Sequence, residues 1–161
     1  MASFDEHIQQ AKSNLKFLAA TNSKNKQFWD WQVTTTFYVA VHIVNAHLAK
    51  VADLHYRAHE DVKNALNPYS LVSVGKVPEE IYLAYTKLEG LSRRSRYLCS
   101  QELSDTSTVA HFTYDKHFSR AIRYIDKLIS YFKKRYSFEC DKEKIDCPEL
   151  NKKEKIENFQ I

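Results

Sequence analysis

The chain has 161 residues, which suits one domain with a sizeable core. It has only 2 glycines and 3 prolines, too few turn-forming residues for a β fold with many turns. Apolar residues make up 43% of the sequence, enough for a packed interior, which argues against wholesale disorder. The net charge of +4 is uneven, because residues 137–161 carry −2 and the preceding residues +6, and a basic body suits an anionic partner.

Hydrophobic periodicity predicts two long helices and one short helix in the first half of the chain. Ser3 and Glu6 form a capping-box pattern that begins the first helix. The second helix is expected over about residues 26–49 and is apolar on two sides, which is typical of the central helix of a bundle. A short helix from His59 to Leu66 follows, because the next residues are Asn and Pro.

Two further long helices are predicted in the second half. Pro78, followed by two glutamates, begins the third long helix, which is expected to end near Cys99 before a polar loop over Ser100–Ala110. The last helix is expected over about residues 113–136. The predicted fold is therefore all-α: a four-helix bundle over residues 1–138, with an additional short helix between helices two and three. Residues 139–161 form a charged tail, expected to be helical or disordered.

The sequence also bears on the compartment of the protein. Its three cysteines, Cys99, Cys140 and Cys147, have no repeated spacing, which argues against a disulfide framework or a thiolate zinc site. No apolar run approaches the roughly 18 residues of a membrane-spanning helix, and the acidic N-terminus lacks the features of a signal peptide. We therefore expect a cytoplasmic protein without a membrane contact.

A polar seam follows one side of the second predicted helix, at positions that 100° per residue places on one strip. Polar groups inside a bundle need hydrogen-bond partners or water. The seam is therefore either a network that joins helices or a pocket with His42 as its acid–base group. Its members are Trp31, Thr35, Tyr38, His42 and Asn45.

Four histidines, His42, His47, His55 and His59, lie within 18 residues. Imidazole is a common metal ligand, but His42 and His47 are five residues apart and lie on different sides of a helix, so no metal site is predicted. The loop histidines flank Arg57, and this group either grips a phosphate or forms a solvated turn.

Two helices carry concentrated positive charge. On the third long helix, Arg93 and Arg96 either pair with Glu89 or bind an anion. On the last helix, a narrow basic strip lies opposite the apolar arc, where it either follows a nucleic-acid backbone or forms a solvated face. The strip consists of Lys116, Arg120, Arg123, Lys127 and Lys134.

Three stretches of the sequence form a wider pattern. They are Trp31-x-x-Thr34-Thr35-x-Phe37-Tyr38-x-x-Val41-His42-x-Val44-Asn45-Ala46, the histidine-rich loop from His55 to His59, and Tyr85-x-x-Leu88-x-x-x-Ser92-Arg93-x-Ser95-Arg96-Tyr97. Over roughly residues 5–136 the pattern resembles bacterial HEPN-type proteins. That resemblance implies a bundle of four or five helices, commonly a homodimer, in a family that includes toxin-like and defence-linked ribonucleases and partners of small nucleotidyltransferases.

The sequence departs from the ribonuclease branch of that family, in which an Arg is followed by a His roughly four to six residues later. No Arg here has a His at that spacing, and Arg57 and His59 are too close together. We therefore predict a non-catalytic nucleotide- or RNA-binding module without a cofactor, in a defence or toxin–antitoxin setting. One alternative is a metal-independent ribonuclease with a non-standard site built from His42, His59, Arg93 or Arg96. Another is a structural bundle whose basic strip meets an acidic partner protein.

Overall fold

The computed structural model describes residues 2–97, 113–150 and 154–161. The predicted all-α bundle, with a short helix between the second and third long helices, is confirmed. Within the described residues, no helix combines the length and apolar character that a membrane crossing requires. The expected helix end near Cys99 and the polar loop over Ser100–Ala110 lie outside the described residues. The elements are α1 (Phe4–Lys24), α2 (Trp29–Ala52), α3 (His59–Leu66), α4 (Glu79–Tyr97), α5 (Asp115–Tyr136), β1 (Glu143–Lys144) and β2 (Phe159–Gln160).

Helix α1 begins with the predicted capping box. The Ser3 hydroxyl accepts a hydrogen bond from the Glu6 amide at 3.3 Å, and the Glu6 carboxylate accepts one from the Ser3 amide at 2.7 Å. Two amide donors that have no partner inside the helix are thereby satisfied. The first turn of α1 therefore has a fixed start, which places His7 on the inner side of the helix, where it is buried.

Helix α2 is the central helix and packs against α1, α4 and α5. Phe37 and Val39 lie on different sides of α2 and are both fully buried, as the two apolar arcs predicted. The helix begins at Trp29, three residues later than expected, because the Phe28 amide donates to the Asn25 carbonyl in a turn. It ends before Asp53, which takes the left-handed conformation with φ of 52°.

His47 joins α2 to two other parts of the bundle. The Gly75 carbonyl can only accept, so the His47 Nε2 atom donates to it at 2.9 Å, and Nδ1 then accepts from the Tyr136 hydroxyl at 2.5 Å. Burial lowers the pKa of His47, which keeps this neutral arrangement. Gly75 packs so closely on α2 that an added Cβ would lie 2.4 Å from Leu48 Cδ2. His47 is therefore a structural residue.

The C-terminal segment differs from the expected helix or disorder. In its described part, β1 pairs in parallel with β2, and apolar side chains enter the main core. Asn22 at the end of α1 accepts from the Asp146 amide at 2.8 Å and donates to the Asp146 carbonyl at 3.0 Å. The sequence did not predict the burial of the four apolar residues below, because they are isolated among charged residues and follow neither a helical nor a strand period. They are Ile145, Cys147, Leu150 and Phe159.

Candidate functional site

Three of the residues selected from the sequence meet between α2, the start of α3 and the end of α4. The guanidinium carbon of Arg96 lies 6.0 Å from the centroid of the Tyr38 ring. The His59 ring centroid lies 6.5 Å from the same ring, at an interplanar angle of 67°, and 5.0 Å from that of Phe37. We call the group of Tyr38, His59 and Arg96 the Tyr38 site.

The backbone holds these side chains in place. The Tyr56 amide donates to the Asn45 side-chain oxygen at 3.1 Å, and the Asn45 side-chain nitrogen donates to the Val41 carbonyl at 3.1 Å. Asn45, a member of the polar seam, therefore ties the loop before α3 to α2. Arg96 donates from Nε to the Ser92 carbonyl at 3.3 Å, which orients its guanidinium on α4.

The charges beside the Tyr38 site are partly balanced. Glu89, which the sequence offered as a partner for the arginines, is buried and lies 3.5 Å from the Lys63 ammonium; Lys63 also pairs with Glu60 at 2.7 Å. The hydrogen bond to Glu60 is the largest cause of a raised pKa at Lys63. Burial lowers the pKa of His59, while Glu89 opposes the shift and the nearby Arg96 adds to it. At neutral pH the site thus presents a cation, a neutral imidazole and an aromatic ring.

The outer part of the polar seam extends this surface along α2. Tyr38 is 39% exposed and Trp31 is 62% exposed, seven residues or about 10 Å earlier along the helix axis. Thr35 lies between them and is half-buried. An exposed aromatic ring can stack on a flat, unsaturated group, and a guanidinium can bind an anion or stack on the same ring system.

The proposed catalytic residues are only partly brought together. His59 and Arg96 share contacts with Tyr38, whereas the His42 ring bonds to His7 with an Nδ1–Nδ1 distance of 3.2 Å. Arg93 is exposed, one turn before Arg96. Sequence reasoning missed His7, although its position four residues before the buried Ala11 marks it as a polar residue on the apolar arc of α1.

The described residues contain no group of three His, Cys, Asp or Glu side chains that could hold a metal ion. Three histidines, His7, His42 and His55, do lie together, but their ring nitrogens are not arranged around a common point. His7 directs Nδ1 at His42 and Nε2 at His55, so its two nitrogens face different partners and the three rings do not converge on one point.

The basic strip of α5 is partly covered by the C-terminal segment. Arg123 makes two bonds to the Glu154 carboxylate, Nε to Oε2 at 2.6 Å and Nη2 to Oε1 at 2.7 Å, while Lys127 lies 3.4 Å from Glu80 on α4. Lys116 and Arg120 are exposed, as is Arg57 in the loop before α3. These pairs leave less unbalanced positive charge than the sequence suggested. A cleft of about 780 Å³ beside the strip is lined by both signs of charge, including Arg123, Lys127, Lys134, Glu80, Glu154 and Glu157.

Neither a family model, nor a curated protein, nor a solved structure matches this chain. Its function is therefore inferred from the Tyr38 site and the surfaces around it.

Proposed function

We propose that this protein is a non-catalytic module that binds single-stranded RNA or a nucleotide at the Tyr38 site. The proposal rests on the position of the Arg96 guanidinium, 6.0 Å from the centroid of the Tyr38 ring. The face of α2 that carries Tyr38 also exposes Trp31. Proteins that bind single strands combine aromatic rings, on which bases stack, with cations that meet the phosphates. The resemblance to HEPN-type proteins supports the same class of ligand.

A binding role accounts for the arrangement of the histidines better than cleavage does. General acid–base catalysis needs two groups within reach of the same reacting atoms. His59 contacts Tyr38, whereas His42 bonds to His7 on α1. The two imidazoles therefore do not share a contact through which they could act on the same reacting atoms. His59 is neutral at pH 7 and can donate or accept a hydrogen bond with a base, while Arg96 supplies the positive charge.

Replacing Tyr38 with Ala is expected to weaken the binding of a short, labelled single-stranded RNA by roughly 5- to 150-fold, because stacking of a base on an aromatic ring contributes about 1–3 kcal/mol. Arg96→Gln is expected to weaken binding and to reduce the slope of log affinity against log salt by about 0.7, the value for one phosphate contact on a single strand. Fluorescence anisotropy over a salt series measures both effects.

Two matched variants make this experiment specific. Tyr38→Phe keeps the ring and should retain most of the affinity, while Arg120→Gln removes the charge of an exposed arginine from α5. Loss of binding in Arg120→Gln, with Tyr38→Ala unchanged, would move the interface to the basic strip and contradict the proposal. Competition by a mononucleotide as strong as that by the oligonucleotide, at equal nucleotide concentration, would identify a nucleotide as the preferred ligand.

We further propose that two copies of the chain associate through the loop between α3 and α4. Leu71 and Val72 at its tip are 94% and 87% exposed, and Tyr69 is also exposed. The loop is held by hydrogen bonds on both sides of the tip, from the Tyr69 amide to the Asn67 side chain at 2.9 Å and from the Ser73 hydroxyl to a carbonyl of α3 at 2.5 Å. A fixed loop that exposes adjacent apolar side chains is suited to a protein contact.

The double change Leu71→Ser and Val72→Ser is expected to convert a dimer into a monomer, measured by sedimentation velocity at several protein concentrations. Both side chains are exposed, so the free energy of unfolding should change by less than about 0.5 kcal/mol. Leu83→Ser on α4 is the control, because Leu83 is an exposed apolar residue outside the loop. An unchanged mass in the loop variant, or a loss of dimer in Leu83→Ser alone, would place the contact elsewhere.

A further inference from the structure

Three histidines from three parts of the fold form a hydrogen-bonded chain. His7 on α1 is the middle member: its Nδ1 atom lies 3.2 Å from His42 Nδ1 on α2, and its Nε2 atom lies 3.0 Å from His55 Nδ1 in the loop after α2. The ring centroids are 5.5 and 5.0 Å apart, about 2 Å farther than the bonded nitrogens. The rings therefore meet through their nitrogen-bearing edges, as hydrogen bonds require.

The number of protons on the three histidines restricts the directions of the two hydrogen bonds between them. A neutral imidazole carries one N–H, and its other nitrogen accepts. If His7 donates from Nδ1, then His42 accepts on Nδ1 and carries its proton on Nε2, while His55 donates from Nδ1. If His7 donates from Nε2, then His55 accepts on Nδ1 and carries its proton on Nε2, while His42 donates from Nδ1. In either arrangement, His42 and His55 carry their protons on different nitrogen atoms.

The surroundings of the chain favour a neutral middle ring. His7 is only 3% exposed. Burial, followed by the proximity of His42 and His55, lowers the pKa of His7 to about 4. Burial also lowers the pKa of His42. At neutral pH a charged His7 is therefore disfavoured, and the two neutral arrangements are the ones available.

We propose that His55, His7 and His42 form a proton relay between the exposed loop and the half-buried face of α2. When a proton binds to His55 Nε2, the Nδ1 proton of His55 passes to His7 Nε2. The Nδ1 proton of His7 passes to His42 Nδ1 in the same step, so that His7 does not hold two protons, and the Nε2 proton of His42 leaves. One proton enters and one leaves, so the three rings are neutral again after the transfer and stand in the second arrangement. A proton that enters at His42 Nε2 and leaves at His55 Nε2 restores the first arrangement.

Each of the two terminal rings has one nitrogen that takes no part in the chain of three histidines. Within residues 2–97, 113–150 and 154–161, neither His42 Nε2 nor His55 Nε2 has a hydrogen-bond partner. A ligand oxygen that accepts from His42 Nε2, such as a carbonyl or phosphate oxygen, favours the first arrangement. A hydroxyl that donates to the same nitrogen favours the second. Such a ligand therefore sets which nitrogen of the exposed His55 carries a proton, and this inference does not rest on the proposed RNA binding at the Tyr38 site.

Long-range ¹H–¹⁵N NMR correlations of the full-length protein at about pH 7.5 test the relay, because they report which ring nitrogen carries the proton. The expected result is that His42 and His55 have opposite tautomers, or complementary fractions if the two arrangements exchange. The same tautomer at both ends would overturn the proposal, since His7 would then have to carry either two protons or none.

A variant at the exposed end provides a second test. His55→Phe keeps an aromatic ring but removes the nitrogen that bonds to His7, so the tautomer fractions of His42 should change although His42 makes no hydrogen bond to His55. Arg57→Gln is the control, because it changes a charge in the same loop and leaves the three rings intact. Unchanged His42 fractions in His55→Phe, or an equal change in Arg57→Gln, would also overturn the relay.

Discussion

Lowering the pH from 7 to 4 is expected to reduce the free energy of unfolding by about 3 kcal/mol through His7 alone. Burial and two neighbouring histidines lower the pKa of His7 in the folded protein from 6.5 to about 4. One pKa unit corresponds to about 1.4 kcal/mol of difference between the folded and unfolded states. The side chain is almost fully buried, so little of this difference is lost to solvent screening.

The sign of the effect follows from proton binding. Between about pH 6.5 and pH 4 the unfolded chain binds a proton at His7 that the folded protein does not bind, so stability rises with pH in this window. The contribution of His7 is fully present above about pH 6.5 and is lost as the pH falls to about 4. His42, His47 and His59, whose pKa values burial also lowers, act in the same direction. The bonds to Ser3 also lower the pKa of Glu6, and its contribution to stability begins to be lost only near its ordinary pKa of 4.5, at the lower end of this range.

Urea unfolding at a series of pH values from 7.5 to 4.2 measures this dependence. His7→Gln keeps a side chain that can donate and accept hydrogen bonds but removes the titration, so its stability should fall less steeply with decreasing pH than that of the natural protein. The absolute stability of the variant is less informative than this difference in slope. Equal slopes in the two proteins would show that His7 is not protonated on unfolding in this range.

The helices could be predicted from the sequence because their signals are local. The capping box at Ser3 and Glu6 needs only four consecutive residues, and it has the expected hydrogen bonds. The two apolar arcs of α2 correctly indicated a central helix, since Phe37 and Val39 are both buried. The C-terminal segment has no such signal: Ile145 and Phe159 are isolated among charged residues, and their burial depends on contacts with distant helices.

The candidate site was predictable only within single elements. Helical spacing placed Tyr38 and His42 on one strip of α2, but the approach of Arg96 to Tyr38 depends on how α4 packs against α2, which no local pattern contains. The contact of Arg123 with the C-terminal segment could not be predicted for the same reason. Its place on a basic strip follows from helical spacing, whereas its bidentate contact with Glu154 joins residues 31 positions apart and requires the folded C-terminal segment.

Replacing Asp126 with Ala is expected to destabilise the protein by about 3 kcal/mol and to release the C-terminal segment from α5. Asp126 is 7% exposed, and its carboxylate accepts from the Asn158 amide at 2.7 Å, the Asn158 side chain at 3.0 Å and the Glu157 amide at 3.1 Å. Removing the carboxylate leaves the backbone amides of Glu157 and Asn158 without this acceptor, whereas the Asn158 side chain keeps its bonds to the Asp126 carbonyl and the Ser130 hydroxyl. A buried donor without a partner costs about 1–3 kcal/mol. For a protein of this size the midpoint of thermal unfolding should fall by roughly 6–12 °C.

Thermal unfolding and limited proteolysis of the same variants separate this anchor from the surface ion pair beside it. Glu154→Gln removes the partly exposed contact with Arg123, whose side chains are 38% and 31% exposed, and should cost less than about 1 kcal/mol. Asp126→Asn keeps one side-chain oxygen as an acceptor, so it should lie between the two. Cleavage within residues 139–161 should become faster in Asp126→Ala, since Phe159 leaves the core when its neighbour Asn158 is released. If Asp126→Ala were no more destabilising than Glu154→Gln, the buried carboxylate would not be what holds the C-terminal segment on the bundle.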